Sequence, residues 1–256
     1  MANRIIFDTE TTDIDKCFAY DVGYLIVDEN FKILKEEHFV IRQVWYNLPL
    51  FATAYYADKR PLYVNAMRRK QARLVKWETM VSELTKDIED YDIISAYAFN
   101  SEFDDRVFKF NSEWYRSPNP FEGIPIFDIM GYSSQFITDK QSYYNFCDSN
   151  NLYTEKGFYP SSAESVYRFI TDNPNFSEAH MGLHDAQIEM EILQACVNRG
   201  AKWDEPYKKV RFSERVIPAT YAIKVNGEII HEGEYVRKME RNGVFSFTEK
   251  IEEVVE

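Results

Sequence analysis

The stretch Ile5-Ile6-Phe7-Asp8-Thr9-Glu10-Thr11-Thr12, close to the N-terminus, is the segment around which the rest of the chain is interpreted. Three consecutive apolar residues predict a strand that is buried on both faces, and two acids end that strand abruptly. Because side chains alternate along a strand, Asp8 and Glu10 point to the same side, about 7 Å apart. Carboxylates at the end of a buried strand are costly unless positive charge lies between them, and a divalent cation would supply it.

Taken alone, this acid pair is a weak signal. The same acid-x-acid spacing occurs at Asp13/Asp15 and at Asp90/Asp92, and a polar strand end that runs into a turn is the simpler interpretation. The case for a metal site therefore depends on the remaining residues.

The composition predicts a globular protein with one substantial core and a small appendage. The chain has 256 residues, of which 45% are hydrophobic and 16% aromatic. No run approaches the ~18 apolar residues of a membrane span, and the N-terminus opens into a strand without a leader sequence. Three scattered cysteines, Cys17, Cys147 and Cys196, form no CxxC motif. We therefore expect a reducing cytoplasm, in a bacterium or a phage-infected host cell, and no membrane partner, zinc site or disulfide framework.

The periodicity predicts a mixed α/β sheet. Strands at 5–10, 20–28 and 31–41 form an antiparallel meander, because short turns join them. Helices and strands then alternate, with a helix at 77–88 and strands at 92–97 and 124–128. The fold class is therefore α/β, a mixed five-stranded sheet with helices on its faces. Residues 129–198 are mainly helical, and Asn100, Ser161 or Ser162, and Ser177 are candidate N-caps.

Residues 42–76 form a window with a different character, which we interpret as an insertion. The window holds many aromatic residues, and its positions 59–76 carry seven Lys and Arg residues and no acid. One interpretation is a solvated helix face. The other is a positive, aromatic-rich flap that meets a phosphate backbone and stacks on bases, with Arg68 and Arg69 as candidate substrate contacts. The net charge of −12 argues against a tight, non-specific grip on long duplexes.

The last fifty residues are predicted to be rich in β-strands. Asn226-Gly227 and Asn242-Gly243 each lie between apolar runs, which is a strong signal for hairpin turns. We therefore predict one domain over residues 1–203 and a small β-rich extension over 204–256. The extension contains no candidate catalytic group, and we interpret it as a surface for packing, for homodimerisation or for a protein partner.

Two further groups of residues carry chemistry. Asn100 follows a predicted buried strand and precedes Asp104 in the first turn of a helix, where the helix dipole favours a carboxylate. His180 lies on a loop, and Asp185 follows at the start of a helix. Each group alone has an ordinary structural explanation, as a helix cap or as a helix-start hydrogen bond.

Together, and in this order, the three groups resemble the DEDDh (DnaQ-like) family of 3′–5′ exonucleases, in the ribonuclease H-like superfamily. The resemblance covers about residues 3–200. Its matching stretches are Phe7 to Thr12, Phe103-Asp104, Ile126-Phe127-Asp128 and Leu183-His184-Asp185-Ala186. Phe99 stands where many members have His, and Asp21 where many have Glu.

The resemblance implies a metal-dependent exonuclease that releases nucleoside 5′-monophosphates from single-stranded DNA or RNA 3′ ends. It implies that Asp8, Glu10, Asp104 and Asp185 hold two Mg²⁺ or Mn²⁺ ions and that His180 is the general base of a two-metal mechanism. Thr11, Phe103 and Asn100 are the expected substrate contacts, with Arg68 and Arg69 from the window.

Two alternatives stay open in the sequence. His184 with Glu189 also fits the His-x4-acid spacing, although His180 with Asp185 retains the Asp and places Gly182 and Ala186 at the small positions. A catalytically silent module that binds nucleic acid or a protein on the same fold is the alternative function. The sequence does not distinguish DNA from RNA.

Overall fold

The computed structural model describes residues 2–155 and 157–209, together with the backbone of three strands at 214–225, 228–240 and 245–249. The chain divides into two compact units. One comprises residues 1–146 and 161–209, and the other comprises 147–160 and 210–256. The predicted domain boundary at 203/204 remains a prediction.

The first unit is built on a mixed six-stranded sheet in the order β4-β3-β2-β1-β5-β6. Its strands are β1 (Asn3–Thr11), β2 (Ala19–Val27), β3 (Ile33–Ile41), β4 (Arg73–Val75), β5 (Ile93–Ala98) and β6 (Ile126–Asp128). β1, β2 and β3 pair antiparallel, and β5 runs parallel to β1 and β6. The predicted mixed sheet is confirmed. Its sixth strand is the short β4, which lies within the window 42–76 and pairs parallel with β3.

Nine α-helices lie within the described residues. They are α1 (Arg42–Trp45), α2 (Leu48–Phe51), α3 (Arg60–Arg68), α4 (Trp77–Asp90), α5 (Ser101–Tyr115), α6 (Ile129–Ser133), α7 (Gln141–Ser149), α8 (Ala163–Ile170) and α9 (Gly182–Val197). No described helix is both long enough and apolar enough to cross a membrane.

β1 lies in the middle of the sheet, and its two faces contact different surroundings. Ile5 and Phe7 are fully buried in an apolar core with α4 and α5, where Phe7 stacks on Phe121 and meets the edge of Phe108. Because side chains alternate, Asp8 and Glu10 point to the opposite face, which α9 crosses.

The aromatic residues of the window are mostly core. Trp45, Phe51 and Tyr63 are buried in a second apolar cluster that packs α1, α2 and α3 onto β2 and β3. Several of its positive charges are also engaged. Arg60 lies over the rings of Trp45 and Phe51, and Arg73 pairs with Glu37 and Glu83. The window is therefore a packed layer on the sheet, with an exposed rim.

The helix starts differ in part from the predicted caps. Ser162 caps α8 through its side chain, as predicted. Ser177 is not an N-cap, because the next helix begins only at Gly182 after an extended Met181. Asn100 occupies the N-cap position of α5 in the left-handed region, with φ 63°, and its side chain does not cap the helix. Its Oδ1 accepts a hydrogen bond from Lys209 Nζ instead.

In the second unit, β7 (Glu214–Val225), β8 (Glu228–Glu240) and β9 (Phe245–Glu249) pair antiparallel in that order. The two predicted hairpins therefore share β8 as one continuous central strand. The turn residues Asn226-Gly227 and Asn242-Gly243 lie outside the described residues.

Candidate active site

Backbone packing brings the start of α9 directly onto β1 and β2. A Cβ atom on Gly23 would lie 1.9 Å from Leu183 N, and one on Gly182 would lie 3.0 Å from Asp8 O. Gly182 N also donates to the buried Asp21 Oδ2 at 2.8 Å. The crossing requires glycine at both positions, and it brings Asp185, in the first turn of α9, to the acids of β1.

Asp104 reaches the same place from α5. Its carboxylate is 2% exposed, and Oδ1 accepts hydrogen bonds from Thr9 N at 3.1 Å and Thr9 Oγ1 at 2.7 Å. Burial raises the pKa of Asp104 to about 7, although the two Thr9 hydrogen bonds oppose the shift. The tie between Thr9 and Asp104 fixes α5 to the end of β1.

The cluster carries an excess of negative charge. Burial, and then the charges of Glu189, Asp104 and Asp185, raise the pKa of Asp8 well above its usual range. Burial, followed by the charges of Asp185 and Asp21, raises the pKa of Glu10 in the same direction. Like charges this close cannot all ionise without a counter-charge. The structure thus brings together four predicted acids, Asp8, Glu10, Asp104 and Asp185.

His180 lies at the edge of the cluster. Its Nδ1 is 4.0 Å from Glu10 Oε1 and 3.9 Å from Glu178 Oε2. One ligand atom each from Glu10, His180 and Asp185 lies within 4.8 Å of the others. Burial, with the Lys59 charge as a smaller cause, lowers the pKa of His180 and so favours a neutral ring.

His184 occupies a different environment. Its side chain is 46% exposed, and Nδ1 lies 3.4 Å from Asp185 Oδ1. The ring lines a groove between α9 and β3, together with Glu36, His38 and Gln187. Glu189, its partner in the alternative register, lies in the interior and accepts a hydrogen bond from Phe99 N at 3.0 Å.

The four acids assigned from the sequence did not include two further carboxylates of this cluster, Glu178 and Glu189. Glu189 is 3% exposed, its pKa is raised well above the usual range by burial and by Asp104, and its charge acts on Asp8. Burial, with Asp185 as the next cause, raises the pKa of Glu178 to about 8. The signal for Glu189 was present, because it follows Asp185 by one helical turn and therefore lies on the same face of α9.

A buried ion pair lies next to the start of α9. His38 Nε2 lies 2.7 Å from Asp21 Oδ1, and both side chains are almost fully buried. Desolvation works against the charged ring, but the carboxylate of Asp21 outweighs it and raises the pKa of His38. Asp21, where many DEDDh members have Glu, thus holds the start of α9 through Gly182.

The candidate substrate residues lie in different surroundings. Phe103 and Asn100 line a cleft of about 640 Å³ beside the cluster, with Ile14, Arg106 and Lys109. Thr11 Oγ1 donates to Asp13 O at 3.2 Å. Arg68 and Arg69 are exposed at the end of α3, on the rim of the window.

The residues fit a divalent cation. Carboxylate oxygens are the hard ligands that Mg²⁺ and Mn²⁺ prefer. Asp8 Oδ2 is buried and accepts no hydrogen bond from any described residue, which leaves it available to a cation. The strongest charges that act on Asp8 and on Glu10 are those of other carboxylates.

No family model and no curated protein sequence matches this chain. Solved structures of exonuclease I do match it. E. coli exonuclease I in complex with a dT13 oligonucleotide gives a TM-score of 0.51 at 12% identity, over 78% of this chain and 41% of that one. A product-bound exonuclease I gives 0.54 at 12% identity, over 78% and 44%. Exonuclease I with SSB-Ct gives 0.50 at 11% identity, over 78% and 42%.

The likeness is one of fold, because these identities are low. The chain also spans less than half the length of the exonuclease I chains that it matches. The mixed α/β sheet flanked by helices agrees with the fold that the sequence predicted. The chain therefore has the mixed α/β fold of the exonuclease I structures that it matches.

Proposed function

We propose that the protein is a metal-dependent 3′–5′ exonuclease that acts on single-stranded nucleic acid and releases nucleoside 5′-monophosphates. The observation that carries the proposal is that Asp8, Glu10, Asp104 and Asp185 lie close enough for their charges to act on one another. Burial, and then the charges of neighbouring carboxylates, raise the pKa of Asp8 and of Glu10. Such a cluster is unfavourable in a folded protein unless cations are part of its function.

The roles of the acids follow from their positions. Asp8 is the central residue, because the charges of Asp104, Asp185 and Glu10 all act on it. The four acids would hold two Mg²⁺ or Mn²⁺ ions, which supply stabilisation for the attacking and leaving oxygens of a phosphodiester hydrolysis. Asp104 is held in place for this role by Thr9.

His180 is the general base of the proposal. Its ring lies at the edge of the cluster, within 4.0 Å of Glu10. Burial favours the neutral ring, which can accept a proton from an attacking water. The alternative base, His184, lines a groove between α9 and β3, is 46% exposed and lies with Nδ1 3.4 Å from Asp185 Oδ1.

The substrate is a single-stranded 3′ end. The cleft lined by Phe103 and Arg106 offers an aromatic ring and a guanidinium to a nucleotide. Its lining also includes Glu102, Asp105 and Lys109, and Lys109 pairs with Asp105. Exonuclease I, which shares the fold, has been solved with a dT13 oligonucleotide. Arg68 and Arg69 would contact phosphates further along the strand.

A digest of matched oligonucleotides tests the proposal. Single-stranded DNA and RNA of one sequence, labelled at the 5′ end, are incubated with Mg²⁺ or Mn²⁺ and compared with a 3′-blocked strand. We expect stepwise shortening from the free 3′ end, mononucleotide products and no cleavage with EDTA. Full activity in both the Asp8→Ala and Asp185→Ala proteins would overturn the assignment.

The histidine register has its own test. Replacing His180 by Ala should lower kcat by about 10²- to 10⁴-fold while metal binding is largely kept. His184→Ala is the matched comparison, and we expect a much smaller loss. If the His184 variant loses more, the base has been assigned to the wrong histidine.

The strands β7, β8 and β9 are the surface that we expect to bind a second copy of the chain or a protein partner. Exonuclease I has been solved in complex with SSB-Ct, so a protein complex is known for the shared fold. Light scattering on the full chain and on residues 1–209 would test self-association. For a dimer, we expect twice the monomer mass for the full chain and the monomer mass for residues 1–209.

A further inference from the structure

The imidazole of His180 is covered on one face by an aromatic ring. The rings of Tyr56 and His180 are parallel, with an interplanar angle of 10° and centroids 3.8 Å apart. This is full stacking contact, which restricts rotation of the imidazole. At the same time, the Nδ1 edge of the ring faces Glu10 and Glu178. The ring is thus fixed both by its face and by its edge.

The backbone of His180 is also held. Its φ of 52° lies in the left-handed region, which is unfavourable for a residue with a Cβ atom and persists only where its surroundings enforce it. Tyr63 Oη donates to His180 O at 2.9 Å, and Lys59 Nζ donates to Glu178 O at 3.3 Å. Both donors come from the window between β3 and β4.

The residues that hold this loop make contacts of their own within the window. Tyr63 is fully buried in the aromatic cluster, where its ring meets those of Tyr20 and Trp45. Lys59 Nζ lies 5.2 Å from the centroid of the Tyr56 ring, so the same ammonium contacts both the loop and the stacked ring. Residues 56–63, which we name the clamp, therefore link His180 to the aromatic cluster that packs on the sheet.

We propose that the clamp is part of the catalytic centre and that Tyr56 is a positioning residue for His180. The inference rests on the proposed function. Tyr56 holds the imidazole at the edge of the carboxylate cluster, so that the ring does not have to find its orientation at each turnover. Tyr63 and Lys59 fix the backbone that carries the ring.

Two substitutions of Tyr56 separate positioning from other roles. Tyr56→Ala removes the stacked ring, and we expect kcat to fall roughly 10- to 100-fold, with KM and Mn²⁺ affinity close to wild type. Tyr56→Phe keeps the stacked ring without its hydroxyl and should restore most of the activity. Tyr46→Ala, which removes a 65% exposed tyrosine of the same window, is the control and should leave kcat unchanged.

The kinetic constants decide between positioning and substrate contact. A raised KM with unchanged kcat in Tyr56→Ala would overturn the proposal and make Tyr56 a substrate contact. A Phe variant as slow as the Ala variant would also overturn it, because the stack would then not be the cause. If Tyr56→Ala melts far below wild type, Tyr56→Leu replaces it, because leucine fills the space without a ring. We then expect kcat of Tyr56→Leu to fall and kcat of Tyr56→Phe to stay close to wild type.

A spectroscopic measurement tests the stack without turnover. In ¹H–¹³C NMR spectra, the ring of Tyr56 should shift the imidazole protons of His180 upfield, in wild type and in Tyr56→Phe, and Tyr56→Ala should abolish the shift. An unchanged His180 signal in Tyr56→Ala would refute the stack. A wild-type protein that cleaves no nucleic acid would instead reject the proposed function, and an active wild type with an equally active Tyr56→Ala variant would reject positioning alone.

Discussion

At the scale of single residues, the acids of the cluster are held together at a cost to stability. Asp8 and Glu10 have raised pKa values because burial and neighbouring carboxylates oppose their ionisation. Functional sites often hold ionisable groups in this way, whereas core acids elsewhere in the chain are paired. Asp87, for example, is bonded by Tyr24 Oη at 2.5 Å and by Lys35 Nζ at 2.6 Å.

The metal-free protein should therefore gain stability when one acid of the cluster is removed. We expect Asp8→Asn to melt a few degrees above metal-free wild type, because the substitution relieves repulsion. Addition of Mn²⁺ should raise the melting temperature of wild type much more than that of the variant. Differential scanning fluorimetry, with and without EDTA, measures both effects. Equal Mn²⁺ shifts in the two proteins would contradict the site.

Asp204 shows the opposite behaviour and predicts a pH dependence. Its carboxylate accepts hydrogen bonds from Ser95 Oγ at 2.5 Å, from Tyr97 Oη at 2.8 Å and from Arg4. Partial burial opposes ionisation, but these bonds, with Arg4 the strongest, outweigh it and lower the pKa of Asp204. A lowered pKa stabilises the fold above the unfolded value of about 3.9, and that stability is lost as the pH falls through the folded value.

We therefore expect Asp204→Asn to lower the free energy of unfolding by about 1–3 kcal/mol at pH 7. The difference from wild type should shrink steadily below about pH 4, because Asp204 then binds a proton in the unfolded state before it does so in the folded state. Urea unfolding of both proteins between pH 3 and pH 7 measures it. A difference that stays constant over this range would mean that the charge of Asp204 contributes nothing.

At the scale of elements, the site depends on how closely α9 crosses β1 and β2. The crossing is possible because Gly23 and Gly182 carry no side chain where the two backbones meet. β2 is buried along its whole length, so it cannot move aside without disturbing the core.

Gly23→Ala should consequently disturb the site and the fold together. The added methyl group would lie 1.9 Å from Leu183 N, so α9 must shift. We expect a loss of at least about 1–3 kcal/mol of stability and a near-complete loss of nuclease activity, because Asp185 moves with α9. Ser82→Ala, on the exposed face of α4, is the control. Unchanged melting and activity in Gly23→Ala would contradict the close crossing.

The elements also show how far the sequence could be interpreted. The run from Ile5 to Phe7 and the two acids after it predicted a buried central strand with a polar end, and β1 has this form. α4 was predictable because its apolar positions repeat with helical period. The short helices α1 and α2 were not, because four residues contain too little of a period to detect.

The contacts of the clamp could not be predicted for a different reason. Tyr63 and His180 are 117 positions apart, and no local pattern connects them. Seven positive charges suggested either a solvated helix face or a flap over the substrate, whereas Arg60 and Arg73 are engaged in contacts within the protein. Only the packing of the window on the sheet revealed that Tyr56 reaches the histidine.

At the scale of the whole molecule, the first unit extends beyond the predicted boundary to residue 209. Asp204 is tied to β1 and β5, and the ring of Tyr207 meets those of Tyr132 and Phe136. Lys209 Nζ donates to Asn100 beside the site. These contacts attach residues 204–209 to the first unit, so the domain boundary between 203 and 209 can be tested by truncation.

We expect a chain that ends at Lys209 to keep the fold and the nuclease activity, and one that ends at Trp203 to lose stability. The shorter chain lacks the carboxylate that Arg4, Ser95 and Tyr97 share, and it leaves those groups without their partner. Circular dichroism melts of both truncated chains measure the difference. Equal melting temperatures would favour the boundary at 203/204.

The most direct test of the central claim is an anomalous difference map from crystals of the protein soaked in Mn²⁺. We predict two peaks between the carboxylates of Asp8, Glu10, Asp104 and Asp185, and their loss in crystals of the Asp8→Asn protein. A map without peaks at these acids, at a Mn²⁺ concentration that supports nucleic acid cleavage, would contradict the account.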